Sequence, residues 1–315
     1  MCDVNQTQVT QIRLLGFRSL AKFKTLLFIV FLLTYLFILS GNLLIIILVT
    51  TVDHLKVPMF YFLKHLATAD ILLTTSVVPM MLDIIFIEEG RVTLVGCITQ
   101  LYLFGIFGFV QCFLIAVMSY DRYLAVCRPL HYALLMNPRV CLYLVMGSWF
   151  LVTLLISSEI VVVVQFKFCG PNYIDHFFCD FGPVVELSTS NTSSLMLQDF
   201  VISIVMIFCP FTYIIITYMY IFFIILKISS SFGRQKAFST CSSHLTTVCV
   251  YYGTLITVYM VPTDNSTVSI NKYRSLLYIV VTPLLNPIIY SLRNQEIKKA
   301  LFKLLIKLKT DCFKM

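Results

Sequence analysis

The chain has 315 residues, of which 59% are apolar and only 12% are charged, against roughly 25% charged in an average soluble domain. This composition excludes a water-soluble fold. The formal net charge of +8 does not indicate a nucleic-acid partner, because no basic segment is interleaved with aromatic residues in a soluble stretch.

Seven apolar stretches are long enough to cross a bilayer as helices. The predicted spans are Thr25–Thr50, Pro58–Ile87, Leu94–Tyr120, Val140–Gln165, Leu195–Leu226, Ala237–Val261 and Tyr273–Leu292. A β-barrel is excluded because its strands alternate apolar and polar residues, whereas Leu43 to Leu48 are apolar at every position. We therefore predict an all-α membrane protein, a bundle of seven transmembrane helices.

Basic residues predict the orientation of the bundle, because Lys and Arg accumulate on the cytoplasmic side of a membrane. Fourteen of them fall on the side of the carboxy-terminal tail and eight on the opposite side, so the amino terminus is predicted to be extracellular. This exposes the glycosylation motif at Asn5. The same tripeptide at Asn191 and Asn265 is short enough to arise by chance.

The chain then divides into an extracellular segment 1–24, a transmembrane domain 25–292 and a cytoplasmic tail 293–315. In the tail, apolar residues recur at helical spacing with lysines between them. This pattern predicts an amphipathic helix that lies on the membrane surface.

Several polar residues lie where lipid would reject them. Asn42 stands in the first predicted span, Asp70 in the second and Asn286 in the seventh. Intramembrane carboxylates are functional by default, so we expect a buried polar network that would suit an ion. The third span closes with Asp121–Arg122, which is either a positive-inside anchor or a functional pair.

Together, these residues resemble the span-by-span signatures of rhodopsin-like G-protein-coupled receptors. The matching residues are Gly41-Asn42, Leu66-Ala67-Thr68-Ala69-Asp70, Asp121-Arg122-Tyr123, Trp149, Pro210 with Tyr218, and Asn286-Pro287-Ile288-Ile289-Tyr290. Four longer stretches are similar to the odorant (olfactory) receptor family. These are PMFYFL (58–63), MSYDRYLAVCRPLHY (118–132), KAFSTCSSHL (236–245) and TPLLNPIIYSLRN (282–294).

The resemblance implies a plasma-membrane receptor that binds small odorants and activates the olfactory-type stimulatory G protein, which raises cyclic AMP. It implies that Arg122 pairs with Asp121 at rest and joins the G-protein site when the sixth helix swings outward, and that Asp70 and Asn42 belong to the polar network. The further residues assigned to coupling and activation by the resemblance are Tyr123, Tyr218, His244, Asn286, Pro287 and Tyr290.

The extracellular cysteines are assigned with the same family in view. Cys97 is expected to form a disulfide with Cys179 and so tether the long loop over the third helix as a lid. Cys169 lacks the partner that the resemblance would give it, because the cysteine that such receptors usually carry later in this loop is absent, and its pairing state stays open. His176 beside Cys179 and Asp180 is weak evidence for a metal site, and we interpret His176 as a loop residue. No metal or cofactor is predicted.

A ligand pocket is predicted from apolar residues at helical spacing in the outer halves of three spans. The residues are Phe104, Gly105, Gly108, Phe109 and Cys112 on the third span, Ile202 and Met206 on the fifth, and Tyr252, Leu255, Ile256 and Tyr259 on the sixth. The resemblance places odorant contacts on these same helices, although ordinary helix packing also produces such stripes. The two glycines are expected to leave space.

The predicted pocket carries almost no charge, which favours neutral hydrophobic odorants. Phe104 stands where amine receptors carry an Asp, and the seventh span has no lysine between Tyr273 and Arg293 to bind retinal as a Schiff base. The exceptions near the outer rim are Glu159 and Asp199. They either sit at the membrane interface or turn inward and select amines.

A small transporter or channel is the competing class, since it would also explain Asp70 and Lys64 within a span. It predicts inverted repeats or broken helices that line a path, and the sequence shows no internal repeat. An enzyme is not expected, because no nucleophile–base pair or metal-ligand motif is present. The predicted partners are an odorant, a heterotrimeric G protein and membrane lipids.

Overall fold

The computed structural model describes residues 9–169, 172–259 and 268–312, and they form the predicted bundle of seven transmembrane helices. The first six, α1 to α6, are Lys24–Thr51, Pro58–Ile87, Leu94–Cys127, Pro138–Val163, Ser193–Leu226 and Ser231–Tyr259. Helix α7 consists of Val268–Leu276, a π-helical turn Leu277–Val281, and Thr282–Arg293. Helix α8, Gln295–Cys312, follows it. The predicted N-glycosylation site Asn5 lies outside the described residues, as does the further tripeptide match at Asn265.

Membrane-spanning character is clearest in α1 to α5. Each of these five described helices is by itself long and apolar enough to cross a bilayer. Helix α7 passes the same test together with α8, from which it is separated by a bend of 82°. A bend of this size turns α8 away from the direction of α7, as expected of a helix that lies on the membrane surface.

The ends of α2 coincide with the prediction because local chemistry fixes both of them. Pro58 occupies the first helical position, where a proline loses no hydrogen bond. Glu88 follows the last turn with a left-handed φ of 70°, which stops a helix. Helix α3 begins at Leu94 as predicted but continues beyond Tyr120 to Cys127.

Two helices widen into a π-helical turn next to a proline. In α5 the turn Ile204–Phe208 ends two residues before Pro210, and in α7 the turn Leu277–Val281 ends two residues before Pro283. Proline has no backbone N–H to donate to the preceding turn, so the helix widens instead of keeping its regular pattern. The kink predicted at Pro210 therefore takes the form of a π turn.

Helix α3 forms the centre of the bundle. Inside its most apolar stretch 67% of the residues are buried, against 28% in α1, α4 and α5. It packs against α2, α4, α5 and α6. Large apolar side chains on the outer helices, such as Phe150 and Phe200, are exposed and thus available to lipid.

The extracellular end carries a small sheet that the sequence did not predict. Strands β1 (Gln11–Leu14), β2 (Gly90–Thr93) and β3 (Tyr173–Ile174) lie in the order β2-β1-β3, with β1 antiparallel to β2 and parallel to β3. The amino-terminal segment is therefore joined to two extracellular loops.

Candidate functional site

A cavity of about 330 Å³ lies in the outer half of the bundle, beneath the long loop between α4 and α5. Helices α3 to α7 all contribute to its wall, and most of the wall is aliphatic or aromatic. The lining residues are Leu101, Phe104, Gly105, Gly108, Phe109, Ile156, Glu159, Ile160, Asp180, Phe181, Gly182, Met196, Asp199, Ser203, Leu255 and Tyr278.

Five of the predicted contact residues line this cavity. They are Phe104, Gly105, Gly108, Phe109 and Leu255. Four others, namely Cys112, Ile202, Met206 and Tyr252, are buried behind the lining. Ile256 is 50% exposed and does not line the cavity, so its contact with a ligand stays a prediction. The side chain of Tyr259 lies outside the described residues.

The space beside the two inward glycines is already occupied. A Cβ atom on Gly105 would meet Ile156 of α4 at 3.3 Å, and a Cβ atom on Gly108 would clash with the hydroxyl of Tyr278. These glycines therefore allow close approach of α4 and α7 rather than leaving an open volume. Tyr278, which the sequence analysis missed, lies opposite Phe104 with ring centroids 6.0 Å apart.

The floor of the cavity joins α3 to α6 through a fully buried tyrosine. The hydroxyl of Tyr251 donates a hydrogen bond to the carbonyl of Gly108 at 3.0 Å and lies 3.0 Å from the sulfur of Cys112. Tyr251 precedes the lining residue Leu255 by one helical turn. A ligand that moves Leu255 therefore acts on the helix that carries this link.

The roof of the cavity is the long loop, held by the predicted disulfide between Cys97 and Cys179. The backbone N–H of Cys179 donates to Gln100 at 2.9 Å, and Gln100 donates in turn to the carbonyl of Ser76 at 2.8 Å. Phe178 is fully buried and packs on Phe104, with ring centroids 4.9 Å apart. The loop thus forms part of the wall of the cavity as well as its cover.

Cys169, whose pairing state is open from the sequence, is also disulfide-bonded. Because Cys179 bonds Cys97, the partner of Cys169 comes from outside this loop. The fold brings the amino-terminal segment beside this part of the loop. The backbone N–H of Val9 donates to the carbonyl of Phe168 at 2.9 Å.

The amino-terminal segment is clasped to the roof by a buried lysine at the start of α7. The ammonium group of Lys272 donates to the carbonyl of Gly16 and to the carboxylate of Asp175, both at 2.7 Å. Phe17 stacks on Phe177, with ring centroids 5.1 Å apart. These contacts join the amino-terminal segment, the long loop and α7.

His176 is buried within this clasp beside two phenylalanine rings. Its ring centroid lies 4.7 Å from that of Phe177 and 4.6 Å from that of Phe178. Burial, and next the charge of Lys272, lowers the pKa of His176 to about 3. The imidazole is therefore neutral at physiological pH, which agrees with a structural loop residue. No group of His, Cys, Asp and Glu within the described ranges is suited to hold a metal ion.

At the cytoplasmic end of α3, Arg122 is paired with Asp121. Both Nε and Nη2 of Arg122 donate to one carboxylate oxygen, while the hydroxyl of Tyr132 donates to the other at 2.7 Å. Burial, and next the Asp121 charge, raises the pKa of Tyr132, so this hydroxyl remains a donor. The carboxylate is fully buried, and the pairing of Arg122 with Asp121 is the contact that the resemblance implied.

A second link near the cytoplasmic end joins α5, α6 and α3. Nε2 of His244 lies 3.1 Å from the carbonyl of Ile115, which only accepts, so this nitrogen carries the proton. Nδ1 then accepts a hydrogen bond from the hydroxyl of Tyr218 at 2.6 Å. Tyr123 packs beside α5, with its ring centroid 6.1 Å from that of Tyr220.

The predicted polar residues of α1, α2 and α7 lie next to one another. The amide of Asn286 donates to Asp70 at 2.8 Å, and that of Asn42 donates to the carbonyl of Pro283 at 3.1 Å. Tyr290 is fully buried, and Pro287 packs closely against Gly41. One oxygen each of Asn42, Asp70 and Asn286 has no hydrogen-bond partner in the described part of the chain. Ion binding there stays a prediction.

The cavity contains more charge than the sequence analysis expected. Glu159, Asp180 and Asp199 all line it, so the expectation of a pocket with almost no charge was wrong. From the sequence, Glu159 and Asp199 are rim residues whose direction is open, and in the structure both line the cavity. Asp180 was missed because its position depends on the fold of the loop.

Comparisons with known proteins agree on one family. The family model described as olfactory receptor matches residues 31–308. Olfactory receptor 10A7 of Homo sapiens is 43% identical over 95% of both chains, and olfactory receptor 5P81 of Mus musculus is 45% identical over 96% of both. Olfactory receptor 1f45 of Rattus norvegicus is 41% identical over 97% of both chains.

These matches extend over nearly the whole length of the chain and of its relatives. They favour a multi-pass receptor of the plasma membrane over the competing transporter or channel, and over an enzyme. The resemblance seen in the sequence motifs is thereby confirmed, and the chain belongs to the olfactory receptor family.

Proposed function

We propose that this odorant receptor binds small, mainly neutral hydrophobic molecules in the outer cavity and activates an olfactory-type stimulatory G protein, which raises cyclic AMP. The observation that carries the proposal is the arrangement along α3. Its outer half lines the cavity at Phe104 and Gly108, and its inner end carries the Asp121–Arg122 pair. One central helix therefore connects the ligand site with the cytoplasmic surface.

Apolar contact supplies most of the binding free energy in this proposal. Each Å² of apolar surface removed from water contributes about 25 cal/mol, and the wall offers Phe104, Phe109, Ile156 and Leu255 to a ligand. A molecule small enough for about 330 Å³ gains limited total affinity, so activation is expected in about the micromolar range.

The proposed signal passes through the contact between α3 and α6. A ligand that packs against Leu255 shifts α6, which weakens the bond from Tyr251 to the carbonyl of Gly108. Outward movement of α6 would also separate His244 from Ile115 on α3. Arg122 would then leave Asp121 and contact the G protein, since it lies at the cytoplasmic end of α3.

The other predicted site residues take part in the proposal through these same links. The residues that would contact the odorant are Phe104, Gly105, Gly108, Phe109 and Leu255. The buried residues that would support the wall without lining the cavity are Cys112, Ile202, Met206 and Tyr252. Segment 25–292 would both bind the odorant and activate the G protein. The tail 293–315 would lie on the membrane surface.

The test is a cyclic AMP assay in cells that express the full chain with an olfactory-type stimulatory G protein, using a panel of neutral odorants. Arg122→Ala should abolish the response but leave surface expression largely intact, because the hydrogen bonds of Arg122 within the described part of the chain go to Asp121, its neighbour on the same helix. Arg139, an exposed arginine at the cytoplasmic start of α4, provides the control. Arg139→Ala should keep the response. Equal responses from the Arg122 variant and the parent receptor would refute the proposal.

A further inference from the structure

The outer cavity is acidic on one side. Glu159 of α4, Asp199 of α5 and Asp180 of the loop line it, and the described lining residues include no lysine, arginine or histidine. Three elements that are far apart in the sequence thus bring carboxylates to one cavity, which also has an apolar wall.

Glu159 is the carboxylate that most needs a partner. The residue is only 6% exposed, and its Oε1 atom is buried with no hydrogen-bond partner among the described residues. A buried carboxylate oxygen without a partner is unfavourable. The charged group that acts on Glu159 is Asp199, which is also acidic and cannot neutralise it.

Hydrogen bonds between neighbouring residues tie together the helices that carry Glu159 and Asp199. Gln198 donates to Ser158 at 3.2 Å, which ties α5 to α4 beside Asp199 and Glu159. Ser157 bonds Tyr102 of α3 at 3.0 Å. Asp180 accepts a hydrogen bond from the N–H of Phe181 at 2.9 Å, and burial raises the pKa of its carboxyl.

The chemistry of the cavity selects the kind of cation that would complete it. The carboxylates are not grouped closely enough for a metal ion, since no metal-binding cluster occurs in the described ranges. An ammonium group is larger, donates up to three hydrogen bonds and arrives attached to a carbon chain. Phe104, Phe109 and Leu255 offer that chain an apolar wall.

We propose that Glu159 and Asp199 form a subsite for the ammonium group of small hydrophobic amines. This subsite rests on the proposed function, because it lies in the same cavity and is read out through the same receptor response. It adds a second class of odorant to the neutral molecules, which use only the apolar wall. The charge comes from α4 and α5, so Phe104 on α3 does not prevent amine binding.

The experiment compares heptylamine with heptanol, which have the same carbon chain and differ in the polar group. In the cyclic AMP assay, the parent receptor should respond to heptylamine at lower concentration than to heptanol. Glu159→Gln should weaken the heptylamine response about tenfold or more, as expected when a charge-assisted hydrogen bond is removed, and should leave the heptanol response within about threefold.

The control is Glu186→Gln. Glu186 is an exposed carboxylate in the short loop helix Phe181–Glu186 and does not line the cavity, so its replacement should change neither response. Asp199→Asn is the second variant if Glu159→Gln fails to reach the cell surface. It should also weaken the heptylamine response selectively.

Three results would overturn the subsite. Heptylamine could prove no more potent than heptanol on the parent receptor, the two responses could fall together in the Glu159 and Asp199 variants, or Glu186→Gln could have the same selective effect. A receptor that answers neutral odorants but not amines would retain the proposed function and lose the subsite. A receptor that answers neither class would lose the proposed function itself.

Discussion

Replacing Gly108 by alanine tests whether close packing of α3 against α7 sets the size of the cavity. An added Cβ atom would clash with the hydroxyl of Tyr278 and would approach two of its ring carbons at 3.2 and 3.3 Å. Overpacking of this kind costs about 1–3 kcal/mol. The alanine also favours the helix by up to about 1 kcal/mol over glycine, so the net loss of stability is smaller than the clash.

Gly147→Ala separates these two effects. Gly147 lies within α4 and is exposed, with nothing within 4 Å of an added Cβ. That variant gains the helix contribution without the clash. The difference in unfolding free energy between the Gly147 and Gly108 variants, measured on purified receptor in detergent, should therefore be about 1–3 kcal/mol. Thermal unfolding midpoints provide the simplest reading.

The same substitution should change odorant selectivity. If the ring of Tyr278 moves into the cavity, the largest ligands lose room for about one methylene group, worth about 0.8 kcal/mol or roughly fourfold in potency. Smaller odorants should be affected less. Adding Tyr278→Phe removes the clashing hydroxyl and should restore part of both losses. Equal midpoints for the two glycine variants, or no recovery with Tyr278→Phe, would refute the packing argument.

Three further predictions concern the extracellular cap, formed by strands β1 to β3 and the long loop between α4 and α5. Cys97→Ser or Cys179→Ser should remove about 2–4 kcal/mol of stability and lower surface expression, measured by antibody staining of intact cells. Lys272→Met should free the amino-terminal strand, which faster amide hydrogen exchange in β1 would reveal, with unchanged exchange contradicting the clasp. Because the pKa of His176 in the folded loop, about 3, lies below its ordinary value of about 6.5, loop stability is complete above pH 6.5. The stability of the loop should fall by about 2 kcal/mol by pH 5, as measured by amide hydrogen exchange in the loop. His176→Gln should make the loop stability less dependent on pH, even though the charged residues Lys272 and Asp175 remain beside it.

Helix α2 shows what local sequence is able to predict. Its proline start and its polar end are encoded within a few residues, and both predicted ends agree with the structure. Helix α3 shows the limit of the same reasoning. The predicted span ends at Tyr120 because charged residues follow. In the structure, Arg122 and Tyr132 donate hydrogen bonds to the carboxylate of Asp121, so the helix continues past the pair.

The cap escaped prediction because its contacts are long-range. Strand β1 has only four residues, and its partners lie in loops that follow α2 and α4. A strand this short has no pattern of its own to distinguish it from coil. The acidic lining of the cavity was not predicted from the sequence for a related reason. Helical spacing defines a face of α4 or α5 but does not fix how each helix is rotated toward its neighbours.

Three consecutive residues of the long loop both cover the cavity and shape its wall. Phe178 packs on Phe104, Cys179 is fixed by the disulfide and by Gln100, and Asp180 lines the cavity. A cover fixed in this way cannot move without also removing part of the wall. Movement of the loop would therefore displace an aromatic ring and a carboxylate together. It follows that the disulfide sets the chemistry of the cavity as well as its closure, since the residue after Cys179 supplies one of its three acidic groups.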